Sequence, residues 1–125
     1  MQEFKVLLVD DETEFVSALA ERLSLRGIDV EVAFNGEQAL AFFMSKVPEV
    51  MVLDLKMPGI GGMEVLRRVM KSHPGVQVII LTGHGSDKDE EQALHLGAYS
   101  FLKKPAEFDV LFRAITNAIN SKRPI

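Results

Sequence analysis

The sequence predicts an α/β protein built on a doubly wound parallel sheet, and three observations lead there. Short apolar runs alternate five times with segments of helical periodicity. Four of the five runs carry little or no polar interruption, as parallel strands covered on both faces do. The length of 125 residues suits one such domain and is too short for two comfortable ones.

The first strand is Lys5 to Val9 (KVLLV). Phe15, Leu19 and Leu23 then follow helical spacing up to Gly27, a C-terminal stop. Ile28 to Ala33 is the second strand, and its alternation of apolar with charged residues marks it as an edge. Gly36, Ala39, Leu40 and Phe43 give the second helix, which ends before Pro48. Val50 to Leu53 is the third strand, followed by a third helical stripe of Gly62, Leu66, Val69 and Met70. Val76 to Leu81 is the fourth strand. The helix after it, Ser86 to Leu96, has a thin apolar face and crowds Asp87, Asp89, Glu90 and Glu91 into its first turns, where the helix dipole favours negative charge. Tyr99 to Leu102 is the fifth strand, and Phe108, Leu111, Phe112, Ile115 and Ile119 form the last stripe. The result is β-α repeated five times with right-handed crossovers.

Composition removes several function classes. Fourteen basic against eighteen acidic residues give a net charge of −4, which lacks the basic footprint of a nucleic-acid binder. The absence of cysteine excludes disulfides, thiolate metal sites and thiol nucleophiles, and fits a cytoplasmic protein. The apolar runs are a few residues long against roughly 20 for a membrane span, and the N-terminus turns acidic too early for a signal peptide. One domain over residues 1–125 is expected, with its core at about 4–120 and 121–125 as a tail or the start of a linker.

Ligands of open parallel sheets bind at the carboxyl ends of the strands, so the residue after each run matters most. The first strand ends in Asp10 and Asp11, the third in Asp54, the fourth in Thr82, and the fifth leads to Lys104 and Pro105. If the first and third strands are neighbours, their ends lie about 5 Å apart, and three carboxylates share one small site. A hard dication relieves their repulsion, and oxygen donors without His or Cys point to Mg²⁺. Mg²⁺ shares its shell readily with phosphate oxygens, so a phosphoryl ligand follows. One carboxylate can then attack phosphorus while metal and cation neutralise the transferring group. Asp54, alone at the end of a buried strand, suits attack; Asp10 and Asp11, a pair, suit the metal. Lys104 is the cation, Thr82 the hydroxyl donor, and Gly83 leaves the phosphate room.

The stretches VLLVDDE, VLDLKMPG, LTGHG and GAYSFLKKP resemble the four signature stretches of response-regulator receiver domains of two-component systems, and the resemblance runs from about Phe4 to Asn120. It implies strand order 2-1-3-4-5 and Mg²⁺ held by Asp11, Asp54 and the Lys56 carbonyl, with Asp10 acting through water. It implies Asp54 as phosphoacceptor for a sensor histidine kinase or phosphotransfer protein. Thr82 and Phe101 match the switch pair, Lys104 the phosphate lysine, and Lys104–Pro105 a cis peptide. Lys56 and His84 match variable positions that tune phosphate lifetime. Gly61 stands where the family often has an acid, so the third helix is expected to lack that cap. The face of the fourth helix, fifth strand and fifth helix is where a homodimer would form.

Single residues carry little of this. Asp10-Asp11 before a helix is equally a cap with a dipole-compensating acid, Asp54 before Met-Pro-Gly can simply open a loop, and Phe101 alone reads as core. His73 and His95 read as surface or packing residues, since no spacing joins the histidines into a metal site. The placement of polar residues at successive strand ends decides for the functional reading. A phosphohydrolase of the haloacid-dehalogenase kind would need a carboxylate two residues after its nucleophile, where this chain has Lys56. A flavodoxin-like cofactor binder would place phosphate beside Asp10-Asp11-Glu12, which repels it. An interaction module that has lost phosphorylation would usually lack one of Asp11, Asp54 and Lys104. The expected protein is therefore a signalling domain rather than an enzyme with an external substrate, acting catalytically only on its own phosphorylation state.

Overall fold

The computed structural model describes residues 4–122. Five parallel strands, β1 (Lys5–Val9), β2 (Asp29–Ala33), β3 (Val50–Leu53), β4 (Gln77–Thr82) and β5 (Ser100–Lys103), lie in the order β2-β1-β3-β4-β5. Five helices alternate with them: α1 (Thr13–Leu25), α2 (Gly36–Ser45), α3 (Gly62–Ser72), α4 (Asp87–Leu96) and α5 (Phe108–Ser121). The doubly wound sheet expected from the alternation of apolar runs and helical stripes is the one observed. Residues 123–125 of the expected tail lie outside the described residues, and Ser121 closes α5.

Alternation along the central strands sorts the core into two layers. Leu7, Val9, Met51, Leu53, Val78 and Ile80 face one side, where Ala39 of α2, Val65, Leu66 and Val69 of α3, and Ala93 of α4 cover them. Val6, Leu8, Val50, Val52, Ile79 and Leu81 face the other, against Val16, Leu19 and Leu23 of α1 and Leu111, Ile115 and Ala118 of α5. The central strands are therefore buried on both faces and read as unbroken apolar runs. β2 is an edge, as its alternation predicts, and β5 is the other edge, with each of its residues at least partly exposed.

Three strands start one residue later than expected, β2 at Asp29, β4 at Gln77 and β5 at Ser100, and the first two do so for a local reason. Ile28 is expected in β2, but its N–H closes the end of α1 on the Leu23 carbonyl at 3.2 Å, beside Gly27 at φ +84°. Val76 likewise donates to the His73 carbonyl at 3.1 Å in the turn before β4. The buried stripe of α1 is Val16, Leu19 and Leu23, and Phe15 is 40% exposed. Phe15 thus leaves the core stripe in which helical spacing placed it; its ring lies beneath the Lys104 ammonium, 4.6 Å from the centroid.

Helix starts fix the loops around the upper edge of the sheet. α4 holds a capping box in which Ser86 Oγ accepts from the Asp89 N–H at 3.1 Å and Asp89 Oδ2 accepts from the Ser86 N–H at 3.0 Å. That box compensates for the thin apolar face, since Ala93 is the buried residue of the helix. α3 begins at Gly61 without a side-chain cap, as the missing acid implies. Its first residue instead locks onto the loop after β3: the Gly62 N–H donates to the Leu55 carbonyl at 2.8 Å. A Cβ on Gly62 would sit 2.1 Å from the Asp54 carbonyl oxygen, whereas one on Gly61 would meet only the Leu55 oxygen at 3.7 Å. Gly62→Ala is therefore expected to lower stability by about 2 kcal/mol, in the range of core overpacking. Gly61→Ala should stay within about 0.5 kcal/mol of the unaltered chain. Urea denaturation midpoints at constant slope check both.

Candidate functional site

The strand ladder extends one residue past the sheet at each position that matters. The Asp10 N–H donates to the Ala33 carbonyl at 3.1 Å, the Asp54 N–H to the Val9 carbonyl at 3.0 Å, and the Lys104 N–H to the Thr82 carbonyl at 2.9 Å. Each chemically active side chain thus springs from backbone fixed by a neighbouring strand. The register pairs Val9 with Leu53 and Leu53 with Ile80, so β1, β3 and β4 deliver their ends side by side.

Asp10, Glu12 and Asp54 place carboxylate oxygens within 4.8 Å of one another. Asp10 and Asp54 are buried, at 4% and 3% exposure. Lys104 Nζ lies among them, 2.7 Å from Asp10 Oδ2, 2.7 Å from Glu12 Oε1 and 3.8 Å from Asp54 Oδ2. Asp10 Oδ1 accepts the Glu12 N–H at 2.9 Å, whereas Asp54 Oδ1 is buried with no hydrogen-bond partner. Burial pushes the Asp10 carboxyl above the ordinary aspartate value, and Lys104 and the Glu12 N–H only partly offset that. The hydrogen bond and charge of Lys104 hold Glu12 below its ordinary value. Burial alone would lower the Lys104 ammonium, but its bonds to Asp10 and Glu12 and the charges of Asp10 and Asp54 outweigh that, so it is raised and stays cationic.

Thr82 is fully buried, and its Oγ accepts the His84 N–H at 3.3 Å, which leaves the hydroxyl proton free to be donated elsewhere. Phe101 is half-buried at the edge of the α2–α3–α4 core layer. A Cβ on Gly85 would stand 2.4 Å from Phe101 Cζ and 3.0 Å from Thr82 Cγ2, so both residues rest on the same glycine. Lys104–Pro105 is cis, as expected. Lys56 is exposed and lines an open cleft with Met57, Pro58, Met63 and Asp89; His84, two residues after Thr82, is exposed.

Of the residues expected at the site, Asp10, Asp54, Thr82 and Lys104 are gathered and Phe101 packs behind Thr82. Asp11 is exposed and stands outside the carboxylate group. Glu12 was not among the expected residues, although it is the third acid of the same DDE run, and neither was Phe15. His73 packs its ring 5.1 Å from Phe43 and His95 is exposed, so neither joins the site.

The charge balance and the donor set fit a hard dication. One ammonium against three carboxylates leaves the cluster at −2. All the side-chain donors are oxygens, and Asp54 Oδ1 is an unpaired acceptor. Fully buried unpaired acceptors are uncommon, and a metal or phosphoryl ligand is one way such an atom is satisfied.

The profile of the family described as the response regulator receiver domain matches residues 6–116. The transcriptional regulatory protein GlrR of Escherichia coli K12 is 36% identical over 119 residues, which cover 95% of this chain and 27% of that protein. The transcriptional regulatory protein CpxR of Klebsiella pneumoniae is 43% identical over 101 residues, 81% of this chain and 43% of that protein. The chain thus spans about a quarter of the length of the first of these curated relatives and under half of the second. A CheY-like receiver domain from Methanospirillum hungatei superimposes with a TM-score of 0.93 at 26% identity, covering 97% of both chains. A receiver domain from Clostridium thermocellum does so at 0.89 and 36% identity, covering 95% of this chain and 96% of the other. With a profile match over most of its length and relatives at 36% identity or more across most of the chain, the chain belongs to the response regulator receiver domain family.

Proposed function

We propose that this receiver domain accepts a phosphoryl group on Asp54 from a sensor histidine kinase or phosphotransfer protein and changes conformation to control an output domain or partner. The observation that carries the reading is Asp54 itself, a buried carboxylate with one oxygen unpaired and the other 3.8 Å from an ammonium. A carboxylate that spends few lone pairs on hydrogen bonds keeps them for attack. As the new P–O bond to Asp54 forms, the donor's P–N bond breaks and its imidazole takes up a proton. Lys104 is placed to neutralise the phosphoryl oxygens, and Thr82 to donate its hydroxyl proton to them. Gly83 leaves room, since a Cβ there would meet only the Lys104 stem, at 3.8 Å.

We assign Asp10, Asp54 and the Lys56 carbonyl to Mg²⁺, together with Asp11, whose exposed side chain lies outside the carboxylate cluster and must turn toward it to ligate. Bound there, Mg²⁺ supplies the positive charge that lets a phosphoryl group approach the carboxylates. Lys56 and His84 flank the position and are assigned to setting how long the phosphate lasts. The switch is assigned to Thr82 and Phe101: because both rest on Gly85, a Thr82 drawn toward phosphate changes the space open to the Phe101 ring. The chain would catalyse only its own phosphorylation and dephosphorylation.

Leu94, Tyr99 and Val110 are 44%, 39% and 45% exposed, which supports α4, β5 and α5 as a homodimer face. Among the described residues no helix is long and apolar enough to cross a membrane, and a cytoplasmic location goes with the proposed kinase partner. The net charge of −4 supports output through a partner or further domain rather than direct contact with nucleic acid.

Acetyl phosphate with Mg²⁺ should label the chain stoichiometrically, and Asp54→Asn should abolish labelling. Intact labelling in that variant overturns the assignment. Because burial raises the Asp10 carboxyl, protons compete with metal there earlier than at an exposed aspartate. Mg²⁺ affinity, followed by calorimetric titration, should fall with decreasing pH while exposed aspartates are still ionised. A constant affinity down to the ordinary aspartate range would remove Asp10 from the metal site.

A further inference from the structure

We propose that Glu12 is a positioning residue that holds Lys104 away from Asp54 in the resting domain and so limits how readily the site takes phosphate. The inference rests on the reading of Asp54 as phosphoacceptor and Lys104 as its phosphate-binding cation. Lys104 Nζ is 2.7 Å from both Asp10 and Glu12 but 3.8 Å from Asp54, and the Phe15 ring closes a further side at 4.6 Å. The ammonium is thus drawn toward the β1–α1 loop and off the nucleophile.

Glu12 is built for this task rather than for its own helix. It occupies the N-cap of α1, yet its side chain makes no cap hydrogen bond; it reaches instead across to a residue 92 positions along the chain. Its backbone is fixed independently, with its N–H on Asp10 Oδ1 at 2.9 Å and its carbonyl accepting the Val16 N–H at 2.9 Å. The carboxylate is 61% exposed, and the largely buried Lys104 ammonium keeps Asp10 at 2.7 Å, so the pairing with Glu12 can be broken without leaving either charge stranded. Asp10 differs in being buried and in facing the metal position. When Asp10 turns to a metal, Glu12 is the remaining anion within bonding distance of the ammonium. Phosphate must draw Lys104 from it.

An exposed ion pair of this kind shifts an equilibrium by about threefold when removed. Glu12→Gln should therefore raise the rate of labelling by acetyl phosphate, and tighten binding of beryllofluoride, by about threefold. Mg²⁺ affinity measured by calorimetry without any phosphoryl group should fall by no more than about threefold, the loss expected when one nearby anion leaves the cluster without itself being a ligand. In a Lys104→Ala background the same substitution should have no effect on labelling, because Glu12 acts through Lys104. A tenfold loss of Mg²⁺ affinity in Glu12→Gln would make Glu12 a metal ligand and overturn the proposal; so would unchanged labelling, or a gain that persists without Lys104. If the unaltered chain labels at Asp54, any such failure belongs to Glu12 alone; if it does not label, the phosphoacceptor reading falls and this one with it.

Discussion

The ammonium of Lys104 among three carboxylates is the interaction on which the upper edge of the sheet depends. Asp10 and Asp54 are buried side by side at the ends of adjacent strands, and like charges so placed repel strongly. A cation from the far side of the sheet, on the loop after β5, reaches over β4 to relieve them. Removing it would leave buried anions uncompensated, a far larger cost than losing a surface ion pair. The same contact ties residues 94 positions apart in sequence, so the charge balance of the site and the closure of the sheet's last strand are one constraint.

That balance is incomplete, and on the proposed reading of Asp54 as phosphoacceptor the incompleteness serves the chemistry. Had the chain supplied a second cation, Asp54 would be fully paired and a poor nucleophile. A net charge of −2 and an unpaired buried oxygen leave a place for a dication and an incoming phosphoryl group. Stability is given up at the position where chemistry needs an unsatisfied atom.

Most of the fold was legible in the sequence because strands buried on both faces have a distinct signature, and β1, β3 and β4 carry it. β5 was an edge only by the strand order that the family resemblance implied; its own residues did not mark it, since a four-residue run that packs on one neighbour looks much like one that packs on two. Asp10, Asp54, Thr82 and Lys104 were legible because strand termini in a parallel sheet converge by topology. Glu12 and Phe15 were not, for opposite reasons. The Glu12 side chain meets Lys104, 92 positions away along the chain, and no local spacing records such a contact. Phe15 obeys the helical period of Leu19 and Leu23, yet Val16 fits the buried stripe equally well, and periodicity alone does not choose between adjacent apolar residues. Asp11 shows the converse: its neighbours in sequence face the cluster while it faces solvent.

The backbone hydrogen bonds that carry Asp10, Asp54 and Lys104 past the strand ends run from main chain to main chain and owe nothing to the side chains they present. The scaffold is therefore indifferent to what stands at those positions, provided the charges still balance. A descendant in which Asp54 became asparagine would keep its fold and its surfaces while losing its chemistry. On the proposed reading of Asp54, a single change would therefore turn a phosphate-driven switch into a phosphate-independent binding module on the same scaffold.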